Sequence, residues 1–315
     1  MTLIVERPGL QTLVQAGPRD GYRNRGVPGA GAADILSLAL ANRLVGNALD
    51  AAALEVTLSG VGLRATAPCR VAVTGASCAL RIDGSAAGMH RCLELAAGQH
   101  LDVGAAESGA RSYLAIAGAF RADSVLGSAS TYLPAGLGGY RGRSLAAGDV
   151  LEIAGDPQAD GSRETPGRFR LIYTDSWTLR ALPGAEMHLL VEEHAERLFH
   201  EPFSVSPRND RMGVQLDTQA FRLDSTGLLD SRPVFPGTVQ CPESGIPFLL
   251  GVDAQTTGGY PRIAEVTRLD RHLTGQLRTG NRVRFLQRSA DEAVRELHAA
   301  HEFWSEWLPG IDALL

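Results

Sequence analysis

Pro247-Phe248-Leu249-Leu250-Gly251-Val252-Asp253-Ala254-Gln255-Thr256-Thr257-Gly258-Gly259-Tyr260-Pro261-Arg262 is the stretch on which the reading of this chain turns. Its first six residues are an apolar run of strand length and read as a buried strand. From Asp253 the apolar pattern stops. Within eight residues the chain then offers an amide, two hydroxyls, two glycines, a phenol and a guanidinium. Gly258 and Gly259 allow positive φ or a close approach of backbone to a bound group. Pro261 fixes one exit geometry and biases Tyr260 towards an extended conformation. Arg262 has the fork that grips a planar anion through two parallel bonds. Such a loop at a strand end suits a small polar ligand. It suits equally a tight turn whose Thr and Gln side chains cap their own backbone.

Working outward, short β-like runs separated by turn residues fill most of the chain. Leu3–Val5, Leu13–Gln15, Leu54–Leu58, Leu63–Ala65, Val71–Thr74, Leu80–Ile82, Leu101–Val103, Tyr113–Ala117 and Val150–Ile153 fit strands in the first half. Phe169–Tyr173, Met187–Leu190, Phe203–Val205, Phe221–Leu223 and Arg282–Leu286 fit them in the second. Many short strands with turn signals between them predict a mainly β barrel or sandwich with a few short helices. Helical spacing is confined to Ala32–Val45, Glu192–Leu198, Leu269–Leu277 and Asp291–Leu308. Asp34 stands where a carboxylate meets the free N–H groups of a helix start. The polar, turn-rich segment 156–166 predicts a boundary between residues 1–160 and 167–290, with 291–315 as a helical tail. The tail's Val294, Leu297, Phe303, Trp304 and Trp307 read as docking contacts for this chain or a partner.

Composition excludes several chemistries. The 315 residues carry 30 basic and 35 acidic side chains, a net charge of −5, so no basic face for nucleic acid is expected. No apolar run approaches a membrane span and the N-terminus reads as a first strand, so a cytoplasmic location is expected. Cys69, Cys78, Cys92 and Cys241 form no Cys-x-x-Cys pair, and neither a disulfide framework nor a metal site is expected. There is no lysine: every basic residue is arginine. The chain therefore forms no lysine Schiff base, completes no Gly-Lys-Ser/Thr phosphate loop and carries no biotin itself. His188, His194, His200, His298 and His301 read as structural.

Two further polar stretches accompany the loop. The first gathers Gln15, Arg19, Gly21-Tyr22-Arg23, Asp34, Asn42-Arg43 and Asn47; the two asparagines read as local helix-end caps. The second is Ser206-Pro207-Arg208-Asn209-Asp210-Arg211-Met212-Gly213, where Asp210 is placed to orient one guanidinium while the other faces an anion. A solvated turn with a surface ion pair is the alternative. Gly118–Gly148 is a third irregular stretch, without the context of a phosphate cradle.

On these residues the chain resembles the urea-amidolyase-related, or KipA-like, proteins: allophanate hydrolase subunit 2 and biotin-dependent carboxyltransferase domains. The resemblance runs to about residue 290. It rests on Gln255–Ile263, Asn209–Gly213, Ala41–Asn47, Leu54-Glu55 and Leu126-Gly127-Ser128. Where the family usually has Gln-Asp-x-Gly-Arg-x-Gly, this chain has Gln15-Ala16-Gly17-Pro18-Arg19-Asp20-Gly21 and lacks the first acid. Its Gly31-Ala32-Ala33-Asp34 keeps the acid of Gly-x-Met-Asp, and Asn209 replaces a serine.

The resemblance implies two cyclophilin-like β-barrel lobes. It also implies a place as the C-subunit of an ATP-dependent 5-oxoprolinase, with two partners, one KipI-like and one lactam-utilisation-like. The substrate class is then a small amide or lactam, and ATP acts through the complex rather than through a phosphate loop here. The alternatives are a carboxyltransferase for urea or guanidine, with biotin on a partner chain, and a regulatory module that binds a kinase inhibitor. On the matched positions, Gln15, Arg208, Gln255, Thr256, Thr257, Gly258, Gly259 and Tyr260 are candidate substrate contacts. Arg211 and Arg262 are candidate clamps for an anion or transition state, and Asp34 and Asp210 candidate orienting acids or bases.

Overall fold

The computed structural model describes residues 2–155, 164–223 and 229–315. The chain divides into two compact units. The first comprises Met1–Arg19, Ala30–Tyr173 and Trp304–Leu315; the second comprises Asp20–Gly29 and Thr174–Phe303. This division differs from the one expected. Residues 20–29 go with the second unit, and the tail is shared at Trp304. The expected boundary, 156–166, lies outside the described residues as far as 163.

In the first unit, strands β1 (Thr2–Arg7), β2 (Gln11–Gln15), β3 (Ala53–Thr57), β4 (Gly62–Ala65), β5 (Cys69–Ile82), β6 (Ser85–Ala87), β7 (Cys92–Leu95), β8 (His100–Ile116) and β9 (Val150–Glu152) form one curled sheet. The path runs β2-β3-β8-β4-β1-β9, with β5 on β8 and both β6 and β7 on β5. β8 pairs β4 through His100–Asp102, β3 through Arg111–Leu114, and β5 along most of its length. Two pairs of expected strands are thus single long strands. Small residues interrupt the alternation at Gly75-Ala76-Ser77 and Gly104-Ala105-Ala106, and register shifts in β5 carry the pairing through. Inside the curl lie Leu3, Val5, Val14, Leu54, Val56, Leu63, Val71, Val73, Leu101, Val103, Leu114 and Ile116. Helix α1 (Ile35–Val45) packs Leu38, Ala41, Leu44 and Val45 against Ala53, Ala72, Tyr113 and Ala115.

The second unit contains a closed barrel. Its strands are β10 (Ser176–Pro183), β11 (Phe203–Asn209), β12 (Gly213–Asp217), β14 (Thr238–Gln240), β15 (Phe248–Leu250), β17 (Arg262–Val266) and β18 (Arg282–Gln287), in the order β10-β17-β14-β15-β12-β11-β18. A two-stranded ribbon, β13 (Arg232–Pro233) with β16 (Thr257–Gly258), stands apart from it. Helices α2 (Glu192–His200) and α3 (Ala290–Ser305) complete the unit, α3 continuing into the first unit at Trp304. β10 was missed in the sequence, although Trp177, Leu179 and Ala181 alternate inward there. It lies parallel to β18, so no hairpin turn announces it.

Three expected strands are absent. Gly167–Phe169 and Met187–Leu189 are single 3₁₀ turns, and Leu223 makes one isolated bridge to Leu190. Phe169 is buried because its ring meets Trp304 at 5.7 Å and Trp307 at 6.4 Å. Those two tail tryptophans dock on this chain, whereas Val294 and Phe303 remain exposed. No helix among the described residues is long and apolar enough to cross a membrane.

Candidate functional site

The second unit holds the loop after β15, and its two ends are fastened in the same way. At its start Asp253 receives two parallel bonds from Arg211, Nε to Oδ2 at 2.8 Å and Nη2 to Oδ1 at 2.9 Å, and both residues are buried. The Asp253 amide also donates to the Arg211 carbonyl. At its end Arg262 grips Glu186, Nε to Oε2 and Nη2 to Oε1, both at 2.7 Å. The Arg262 amide adds a bond to Oε2 at 3.1 Å, and Arg232 Nη1 one to Oε1 at 3.0 Å. Glu186 is 4% exposed. The Arg262 hydrogen bond, with its charge and that of Arg232, holds the Glu186 carboxyl below the usual range against the opposing effect of burial. The same bond raises the pKa of Arg262.

Between the ends, Gln240 lies beneath the loop at 2% exposure. Its Oε1 accepts from Gln255 Nε2 at 3.2 Å, and its Nε2 donates to the Tyr260 carbonyl at 3.3 Å. Gly258 and Gly259 are needed for closeness rather than for positive φ. A Cβ on Gly258 would lie 2.7 Å from Gln240 Nε2, and one on Gly259 2.7 Å from the Leu229 carbonyl oxygen. Thr257 and Gly258 pair with Pro233 and Arg232, and the Thr256 carbonyl accepts from Val234 N–H. The loop exposes the side chains of Gln255, Thr257 and Tyr260, with Gln255 also tied to Gln240 through Nε2; Thr256 is buried.

This geometry revises several expected roles. Arg211 and Arg262 are each committed to a carboxylate of the protein, so they position the loop. Asp210 does not orient Arg211: its Oδ1 accepts from the amides of Met212 at 2.7 Å and Gly213 at 3.2 Å, capping the turn. Arg208 is exposed, with a long 3.5 Å contact to Gln215. Glu186, Gln240 and Arg232 were missed. Glu186 lies in Gly184-Ala185-Glu186-Met187, with no local pattern to mark it.

The other candidates belong to the first unit. Asp34 is the N-cap of α1 and is fully buried. Its Oδ1 accepts from Ser37 N–H at 3.0 Å; its Oδ2 accepts from the hydroxyls of Ser37 at 2.7 Å and Tyr173 at 2.9 Å. The Asp34 amide donates to Tyr113 Oη, whose hydroxyl donates to buried Glu55, which also accepts from Ala33 N–H. Burial first, then the neighbouring carboxylates, raises both tyrosines well above the usual phenol range. Asp34 therefore holds the helix start and Tyr173, a positioning role rather than that of an exposed base. Gln15 is buried, with Nε2 on the Thr131 carbonyl at 3.0 Å and, among the described residues, no hydrogen-bond partner for Oε1. Nearby strands also border a cavity of about 570 Å³ lined in part by Ser77, His90, Arg91, Arg170 and Tyr173. Among the described residues no group of three or more His, Cys, Asp and Glu side chains is placed to hold a metal ion.

The model of the family described as carboxyltransferase domain, subdomain A and B, matches residues 25–287. The chain belongs to that family. It is 39% identical over 293 residues to the C-subunit of 5-oxoprolinase from Escherichia coli, covering 93% of each chain. It is 34% identical to the C-subunit of 5-oxoprolinase from Haemophilus influenzae, covering 88% of each. The crystal structure of the Kluyveromyces lactis urea carboxylase superposes with a TM-score of 0.90 at 28% identity, over 98% of this chain but 29% of that one. Carboxyltransferase-family relatives thus include both subunits and segments of enzymes, and the mainly β, barrel-containing architecture is shared with them.

Proposed function

We propose that this chain is the C-subunit of an ATP-dependent 5-oxoprolinase, which with partner subunits opens the lactam of 5-oxoproline to glutamate. The observation that carries this reading is the 39% identity to the E. coli protein along nearly the full length of both chains. The second unit supplies a consistent chemistry. Opening a lactam places negative charge on the former carbonyl oxygen. A loop held rigid at both ends, with amide and hydroxyl donors outward, is suited to meet that charge without reorganising. The partners on this reading are a KipI-like chain and a lactam-utilisation-like chain. A chain without lysine offers no Gly-Lys-Ser/Thr cradle, so ATP acts through the complex rather than through such a loop here.

The likeness to urea carboxylase favours a second reading, a carboxyltransferase component acting on urea or guanidine. Biotin would then arrive on a partner chain, since this one has no lysine to carry it. The test is ADP release by the chain co-purified with its partners, with and without 5-oxoproline. ADP release stimulated by 5-oxoproline and matched by glutamate supports the first reading. An intact complex indifferent to 5-oxoproline refutes it, and avidin-sensitive turnover of urea or guanidine supports the second.

A further inference from the structure

Around the loop Arg211 is paired with Asp253, and Arg262 and Arg232 share Glu186; one further arginine has no carboxylate partner among the described residues. Arg23 comes from the segment 20–29 that joins the second unit. Its Nη2 donates to the Val234 carbonyl, and its guanidinium lies over the Phe235 ring, 5.0 Å from the centroid. Among the described residues no carboxylate forms an ion pair with it, although it is half-buried. Val234 is also the residue whose N–H bonds the Thr256 carbonyl at 3.0 Å, so Arg23 holds the residue just after β13 that is itself bonded to the loop. Around the turn lies a second cation: Arg271 packs beside Gly237, where a Cβ would lie 3.1 Å from its Nε. Its acid is Glu265, 3.2 Å from Nη2, and burial raises the pKa of that carboxyl. Burial and the charge of Arg271 both lower the pKa of Arg23. Two guanidiniums, Arg23 and Arg271, thus flank the uncharged turn 234–238 with one paired carboxylate, Glu265, between them, beside an aromatic face that is 45% exposed at Phe235.

We propose that Arg23 binds the carboxylate of the substrate, a small cyclic amide acid, with the Phe235 ring as the adjoining apolar surface. The inference rests on the 5-oxoprolinase reading and deepens it. Urea and guanidine carry no carboxylate, so Arg23 would be a residue that selects the lactam acid over them. A guanidinium with no protein carboxylate is ready for a bidentate partner, whereas Arg211 and Arg262 would first have to break one.

The experiment is steady-state kinetics of the assembled complex with wild type, Arg23→Met and Arg23→Lys. Substrate is 5-oxoproline, and the competitor is 2-pyrrolidinone, the same ring without the carboxylate. Losing one charge-assisted contact predicts a KM for 5-oxoproline raised about 10- to 100-fold in Arg23→Met. kcat should change less than about threefold, Arg23→Lys should fall between, and whatever inhibition 2-pyrrolidinone shows should stay as in wild type. A KM within about twofold of wild type in Arg23→Met overturns the inference and leaves the 5-oxoprolinase reading intact. An equal loss of kcat in both variants, with a lowered melting temperature and unchanged KM, also overturns it and makes Arg23 a support for the backbone at Val234. A wild-type complex that does not turn over 5-oxoproline refutes the underlying reading, and the inference falls with it.

Discussion

Glu186→Gln is the sharpest perturbation of the loop. In the wild type the carboxylate accepts four bonds, three from Arg262 and one from Arg232. A glutamine amide keeps one oxygen, which can accept two, and turns an NH2 group towards the arginines. Two of the four bonds to the charged carboxylate are lost, at least one of them from a guanidinium, each worth about 1.5–3 kcal/mol. Arg232 is half exposed, with 53% of its side chain accessible, so its share is screened, and about 3 kcal/mol is the expected loss. The pH dependence follows from the lowered pKa. Glu186 titrates below its ordinary 4.5 in the folded chain, so its contribution is fully present above 4.5 and is lost as pH falls through the folded value. The gap between wild type and variant should be widest near neutral pH and narrow in acid. Urea unfolding followed by fluorescence measures it. Trp177 belongs to the second unit while Trp304 and Trp307 belong to the first, so a background with both of the latter changed to Phe isolates the relevant transition. A gap below about 1 kcal/mol, or one that is the same in acid as near neutrality, refutes the account of the loop's anchoring.

Three other outcomes are expected. Gly258→Ala drives a Cβ to 2.7 Å from Gln240 Nε2, and Gln240 is held at both ends; kcat/KM of the complex should fall at least about tenfold, while assembly by size exclusion is unchanged. Asp34→Ala removes the α1 cap and strands the hydroxyls of Ser37 and Tyr173; about 3 kcal/mol of stability should go, with Asp34→Asn losing visibly less in denaturant titrations. His90 has its pKa pushed down to about 4, by burial first and the charge of Arg170 second. The unfolded chain therefore takes up the proton first, and stability should fall by about 2 kcal/mol between roughly pH 6.5 and 4. His90→Asn, which suits φ 59°, should flatten that slope; a slope unchanged in the variant disproves the assignment.

The parts of this architecture that are legible in the sequence are those set by local pattern. β15 is an apolar run, α1 a helical period with an acid at its start, and most strands of the first unit are alternating segments. Parallel β10 escaped because its partner β18 lies about a hundred residues away, and nothing near Ser176 reports that pairing. The interruptions within β5 and β8 look like chain ends in sequence; register shifts that span them are a property of the paired strands. At the site, the loop itself was legible as a concentration of donors. Its supports were not: Glu186 lies 76 residues from Arg262, and Arg211 lies 42 residues from Asp253, so only the folded barrel reveals which arginine meets which acid.

That pairing matters for mechanism, because in sequence all the arginines of the polar stretches look alike. The outward face of the loop is made of Gln255, Thr257 and Tyr260, exposed side chains with little packing to fix them. A donor set ordered only on ligand arrival would spend its binding energy on lost conformational entropy. The two Arg–carboxylate forks and Gln240 impose that order beforehand, and the cost is that Arg211 and Arg262 are no longer available to an anion. An anionic substrate must then find its charge elsewhere on the same unit. Arg23 meets that need because it arrives from a distant part of the chain without an acid of its own. Arginines bound to the protein's own carboxylates shape this loop, and Arg23, with no carboxylate partner among the described residues, is the place to look for substrate charge.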